Sequence, residues 1–178
     1  RLLRPLINSN RLDEARNLSK VEPLLDDIKS YAGYLTTNIQ TESHLYFWFF
    51  PCTNASRQSA PLILWISGGP GITTMYSLFE ENGPFVVADD GATLRRREYA
   101  WTNNYHMLYM DQPEGTGFSF TLNETKGHIK TQEGIGEHLY EALLQFYKLF
   151  HEFKSNDLYI GGESYAGKFV PALAIKIH

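Results

Sequence analysis

The 178-residue sequence is short of several things, and each shortage narrows what the chain can be. It holds one cysteine, Cys52, so no disulfide can close within it. No apolar run approaches the ~18 residues of a membrane-spanning helix. Net charge is only −4, with acidic and basic residues interspersed, which argues against a nucleic-acid surface. The basic run Arg95-Arg96-Arg97 adjoins Glu98 and reads as a solvated loop. No His or Cys pair has metal-ligand spacing with an acid close by, so no metal and no other cofactor is expected. Repeats and low-complexity tracts are missing as well. No signal peptide is visible, and Arg1-Leu2-Leu3-Arg4-Pro5 reads as a mature or trimmed N-terminus.

What is present describes a globular chain: 43% of residues are hydrophobic, with 11 Tyr and 11 Phe. That is enough to build one domain with a core. Three N-x-S/T sequons, at Asn17, Asn54 and Asn123, fall in polar or turn-like stretches. They favour a secreted or lysosomal/vacuolar protein over the reducing compartment that a lone cysteine suggests.

Residues 1–28 read as an N-terminal arm packed along the body, and 29–178 as part of a single α/β domain. Aromatic and β-branched residues at 31–38 and 44–50 predict a hairpin around the polar Gln40-Thr41-Glu42-Ser43. The run Tyr46 to Phe50 is apolar enough to be buried on both faces. Leu62 to Ile66 predicts a central strand of a largely parallel sheet. Helical spacing resumes at Thr73 and ends near Gly83-Pro84. Phe85 to Val87 and Met107 to Asp111 predict further strands, and Thr131 to Phe153 the longest helix. Strands alternating with helices place the chain in the α/β class.

The stretch that organises the chain comes last. Leu158-Tyr159-Ile160 predicts a buried strand, Gly161-Gly162 ends it, Ser164 sits in the turn, and 165–177 predict a helix. Strand, tight turn with serine, and helix make a nucleophile elbow. Ala166 stands where the second glycine of G-x-S-x-G belongs, and is small enough to serve. An ordinary strand–helix junction with Ser164 as a cap would read the same way. Upstream, Trp65-Ile66-Ser67-Gly68-Gly69-Pro70-Gly71 has the position and composition of a loop supplying oxyanion donors.

With both stretches in view, the chain resembles the serine carboxypeptidases, and among them the vitellogenic-like carboxypeptidases. The residues that carry the resemblance are 65–71, Leu78 to Pro84, Trp101-Thr102, Asp111 to Ser119 and Gly162 to Lys168. The resemblance implies an α/β-hydrolase fold, with Ser164 as nucleophile and the amides of Gly69 and Tyr165 as the oxyanion hole. It implies that Glu163 and Glu81 grip the C-terminal carboxylate of a peptide or protein substrate, with Trp65, Ser67 and Gly68 lining the same place. Two close carboxyl groups resist double ionisation, so such an enzyme favours acid pH. Three positions depart from the family pattern. Ser67 replaces Asn or Gln, Ile72 replaces a cysteine, and Glu114 replaces an apolar residue.

A serine nucleophile also needs a histidine oriented by an acid. His178 ends the predicted helix, ~20 Å from Ser164 at 1.5 Å per residue, and cannot serve. His44, His106, His128, His138 and His151 precede the serine in unrelated segments, where solvated or core roles are expected. We therefore read the sequence as the N-terminal part of a longer family member that carries the acid and the histidine elsewhere. Three readings stand at this stage: a carboxypeptidase acting through an acyl-enzyme, a catalytically inactive hydrolase-fold protein that binds peptides, and an acyltransferase that uses an alcohol as acceptor.

Overall fold

The computed structural model describes all residues except 26–27 and 55–58. The polar N-terminal segment folds into α1 (Arg4–Asn8), α2 (Leu12–Ser19) and the short strand β1 (Lys20–Val21). It is tied down by side chains facing the body: Leu3, Ile7 and Ala15 are buried in the main core. Arg4 bridges the Thr36 carbonyl and Glu141, and Arg16 lies over the rings of Tyr31 and Phe150.

β2 (Ser30–Asn38) and β3 (Ser43–Phe50) then form the expected hairpin, with Leu35 opposite Leu45. β4 (Leu62–Ile66) is followed by a single turn, α3 (Thr74–Tyr76), which widens into a π-helical turn at Ser77–Glu81. β5 (Phe85–Val87) and β6 (Leu94–Arg96) make a separate two-stranded ribbon, and β7 (His106–Met110) returns to the sheet. The short β8 (Phe120–Thr121) pairs with β3. α4 (Gln132–Leu149), β9 (Leu158–Gly162) and α5 (Ala166–Ile177) complete the chain.

The main sheet runs β1-β2-β3-β7-β4-β9, with β8 alongside β3. β1, β2, β3 and β7 are successively antiparallel, whereas β7, β4 and β9 are parallel. Residues alternate between the two faces of each strand. On one face, Phe47, Phe49, Leu64, Ile66 and Leu108 pack against Leu139, Ala142, Leu143 and Phe146 of α4 and against Phe169 and Leu173 of α5. On the other, Phe50, Ile63, Met107 and Tyr109 meet Met75, Leu78 and Phe85. Each fully buried Phe or Leu contributes about 1.5–3 kcal/mol, so β3, β4 and β7 anchor the fold from both sides.

The long helix stops earlier than its apolar spacing predicts. Phe150 leaves helical geometry at φ −124°, and a 3₁₀ turn over His151–Ser155 still delivers Phe153 to the core. β9 was expected to be buried, but within these residues it forms the sheet edge, with Tyr159 59% exposed. Asn17 lies inside α2 rather than in a turn, and its sequon partner Ser19 is buried. Asn54 is exposed, but Ser56 of its sequon lies outside the described residues, and Asn123 is half-buried in a turn. Among the described residues no helix is long and apolar enough to cross a membrane.

Candidate active site

Because β4 and β9 are parallel neighbours in register, with Trp65 opposite Gly161 and Ile66 opposite Gly162, their C-terminal ends release two loops side by side. Ligands of open α/β sheets bind at this edge. Packing between the loops demands glycine at two places. A Cβ on Gly68 would lie 2.5 Å from Tyr165 N, 2.8 Å from Glu163 O and 3.1 Å from Ser164 Cβ. One on Gly162 would lie 2.2 Å from Ile66 O and 2.7 Å from Ala166 Cβ. The Ala166 methyl is itself fully buried, which explains why alanine serves where a second glycine was expected.

Ser164 sits in the left-handed region at φ 54°. For a side chain other than glycine this costs of order 1–3 kcal/mol, a strain that collects at functional turns. The turn is closed by Ala166 N–H to Glu163 O (2.9 Å) and Gly167 N–H to Ser164 O (3.0 Å), and α5 starts directly after it. Ser164 is left exposed at the head of that helix. The amides of Gly69 and Tyr165 donate to no acceptor among the described residues. With the helix dipole behind them, they are suited to a developing oxyanion. The Tyr165 ring is pinned by Phe169, with Lys168 Nζ above it at 5.0 Å.

The two acids predicted to act together do meet. The π turn ends on Asn82, whose N–H reaches Ser77 O at 2.9 Å and whose Oδ1 accepts from the buried Tyr109 hydroxyl. π turns of this kind occur often at functional sites. Here the turn carries Glu81 to Glu163. The Glu163 pKa is raised above the ordinary carboxylate range, first by desolvation, then by the negative charge of Glu81 and a hydrogen bond with it. Both groups are open enough to meet a ligand: Glu81 is exposed and Glu163 half-buried.

Trp65 lies edge-on to Trp101 and against Gly161, at the wall of a largely apolar cleft of about 580 Å³ that also includes Ile63, Tyr105 and Tyr159. Ser67 corrects the expectation. Its side chain is buried and its hydroxyl meets Ser77 Oγ at 3.0 Å, so it ties the π turn to β4 instead of facing an open site.

The 68–72 loop, which packs against the Ser164 turn, is supported by a residue that has no site role in the sequence analysis. Asp111 is fully buried. Its Oδ1 accepts from Thr73 Oγ1, Thr74 N–H and Thr74 Oγ1, each at 2.8 Å, and its Oδ2 accepts from Phe118 N–H at 2.9 Å. One carboxylate thus joins the end of the 68–72 loop to the 111–119 turn. Asp111 closes an apolar strand and precedes a glycine-rich turn, a context that marks a buried acid in need of donors.

The histidines have other partners. His44 Nδ1 lies 3.0 Å from Thr36 Oγ1, His106 Nδ1 accepts from Cys52 N–H, and His128 bonds Glu124. His138 pairs with Glu114, His151 is an exposed neighbour of Glu152, and His178 caps α5.

Comparison with known proteins follows the same line as the geometry. The serine carboxypeptidase family model matches residues 21–178. The chain is 48% identical over 177 residues to a probable serine carboxypeptidase, CPVL, of Homo sapiens, covering 99% of this chain and 37% of that protein. It is 42% identical over 177 residues to a vitellogenic carboxypeptidase of Aedes aegypti, again with 99% and 37% coverage. Among solved structures, a prohormone-processing carboxypeptidase of Saccharomyces cerevisiae, Kex1(delta)p, superposes with a TM-score of 0.79 at 29% identity. That match covers 91% of this chain and 38% of the yeast chain. The fold is the α/β-hydrolase fold, and the chain spans a little over a third of the length of these relatives.

Proposed function

The chain belongs to the serine carboxypeptidase family, and on that premise we propose that the protein removes residues from the C-termini of peptides or proteins through an acyl-enzyme, at acid pH. The observation that carries the proposal is the strained Ser164, at φ 54° between β9 and α5, with the Glu163–Glu81 pair beside it.

Ser164 Oγ attacks the last peptide carbonyl as an imidazole takes its proton. The amides of Gly69 and Tyr165 hold the oxyanion, where each donor is worth about 3 kcal/mol. Collapse expels the C-terminal residue as the imidazole returns the proton to its nitrogen. Water then attacks the ester, and Ser164 is regenerated. Since each of the six histidines is engaged or placed elsewhere, the proposal assigns the base to residues outside this sequence.

At acid pH the raised pKa of Glu163 leaves one proton on the pair, and that proton bridges to the substrate carboxylate. This favours cleavage at a free C-terminus over acyl transfer to an alcohol. A secreted or lysosomal setting suits such a pH range, and the exposed Asn54 suits a glycoprotein.

The test uses the full-length protein: labelling of Ser164 by a fluorophosphonate, alongside hydrolysis of a peptide with a free or an amidated C-terminus. Labelling with preference for the free acid supports the proposal. Peptide binding without labelling would make the protein an inactive binder, and trapping of the acyl group by an added alcohol in preference to water would make it an acyltransferase.

A further inference from the structure

Glu114 is an oddity within the 111–119 turn. Its side chain is wholly inaccessible, and Oε2 has no hydrogen-bond partner among the described residues. Oε1 lies 2.5 Å from His138 Nδ1 of α4 and accepts from Thr37 Oγ1 of β2 at 2.9 Å. The His138 side chain is itself only 11% exposed. No lysine or arginine pairs with this carboxylate among the described residues, so the His138 imidazole and the Thr37 hydroxyl are its partners. A buried carboxylate without a partner is costly, and removing one member of a buried pair leaves that full penalty.

The pair sits at one end of a short chain of contacts leading to Ser164. Glu114 and Asp111 lie on the same tight turn, which is held by Thr116 N–H to Pro113 O, Gly115 N–H to Ser119 O and Ser119 Oγ to Asp111 O. Asp111 in turn fixes Thr73 and Thr74, just beyond the Gly69 amide. Anchoring Glu114 to α4 therefore anchors the loop that supplies an oxyanion donor.

We propose that Glu114 and His138 are positioning residues that lock the oxyanion loop, because their buried contact joins the 111–119 turn to α4. The inference rests on the reading of Ser164 and Gly69 given above.

The test is the rate of Ser164 labelling by a fluorophosphonate at a single pH, with thermal melting measured in parallel. The probe has no C-terminal carboxylate, so the Glu163–Glu81 pair does not affect it. Three proteins are compared: wild type, His138→Leu, and the double variant Glu114→Met with His138→Leu. We expect His138→Leu to label about tenfold more slowly while still folded. The double variant should regain melting temperature, because an apolar pair of similar volume replaces the buried polar pair. Packing alone does not restore the hydrogen bonds of the pair, so the double variant should still label several-fold more slowly than wild type after its melting temperature is regained. A double variant, or a folded His138→Leu, that labels at the wild-type rate overturns the proposal. If wild type does not label, the reading of Ser164 falls instead. Melting then decides: His138→Leu must melt below both wild type and the double variant, or the lock falls too.

Discussion

Gly68 and Ser164 are in contact across two loops that leave adjacent parallel strands, so closely that a methyl group on Gly68 would sit 3.1 Å from Ser164 Cβ. The same methyl would press on the Tyr165 amide at 2.5 Å, and backbone atoms cannot swing aside as a flexible side chain can. Gly68→Ala is expected to shift the serine turn by a few tenths of an ångström or more, and to slow fluorophosphonate labelling by about 100-fold. Circular dichroism should still show a folded protein. Labelling at the wild-type rate would mean that the contact is slack.

The strain at Ser164 predicts a trade between stability and function. Ser164→Gly removes the side-chain penalty at φ 54° and should stabilise the fold by about 1 kcal/mol, or roughly 2–4 °C in Tm. Ser164→Ala keeps the penalty and should melt near wild type. Both should lose all labelling. Equal melting temperatures for the two variants would show that the turn stores no such strain.

The acid pair predicts a direction with pH. The folded-state pKa of Glu163 is raised, so the protonated form is favoured in the native state. Whatever stability this gives is fully present below the ordinary glutamate range and is lost as pH rises through the raised value. Affinity for a free carboxylate should follow the same course, with KM climbing as the pair becomes doubly charged. Glu163→Gln should flatten that climb while leaving kcat for an amidated peptide nearly unchanged. A wild-type KM that stays flat from pH 4 to 7 would remove the carboxylate-gripping role from this pair.

Asp111 should be among the least replaceable side chains. Asp111→Ala leaves the Thr74 amide, two hydroxyls and the Phe118 amide without their shared acceptor, at a cost of about 3 kcal/mol or more. Asp111→Asn keeps one acceptor oxygen but turns an NH₂ group towards a donor, and should fall between. Urea titration of the three proteins gives the order directly, and an Asp111→Ala midpoint equal to wild type would contradict the network.

The parts of the fold that could be read from the sequence are those written in short-range pattern. The β2–β3 hairpin, β4, β7 and the β9–α5 turn each announce themselves by apolar runs ended by polar or glycine residues. The Ser164 and Gly68–Gly69 loops were legible for the same reason, since glycine marks where backbones must touch. The π turn at Ser77–Glu81 was not: its spacing looks helical until Asn82 bonds one residue further back than usual. Ser67 resisted because a hydroxyl bonds as readily inward as outward, and Ser77 claims it from ten residues away. The Glu114–His138 pair joins a turn to a helix, and no local periodicity reports which buried acid meets which imidazole.

The parallel pairing of β4 with β9 sets a timetable as well as a shape. Leu62 pairs with Leu158, almost a hundred residues later, and the hairpin, ribbon and α4 lie on either side of or between them. At a synthesis rate of about 5–20 residues per second, roughly 5–20 s separate the emergence of the two strands. Throughout that interval the 68–72 loop exists without Ser164, and the elbow takes its strained form only when β9 emerges and pairs with β4. A nascent chain is thus spared a half-built turn: Ser164 and the loop it packs against come together in one late step.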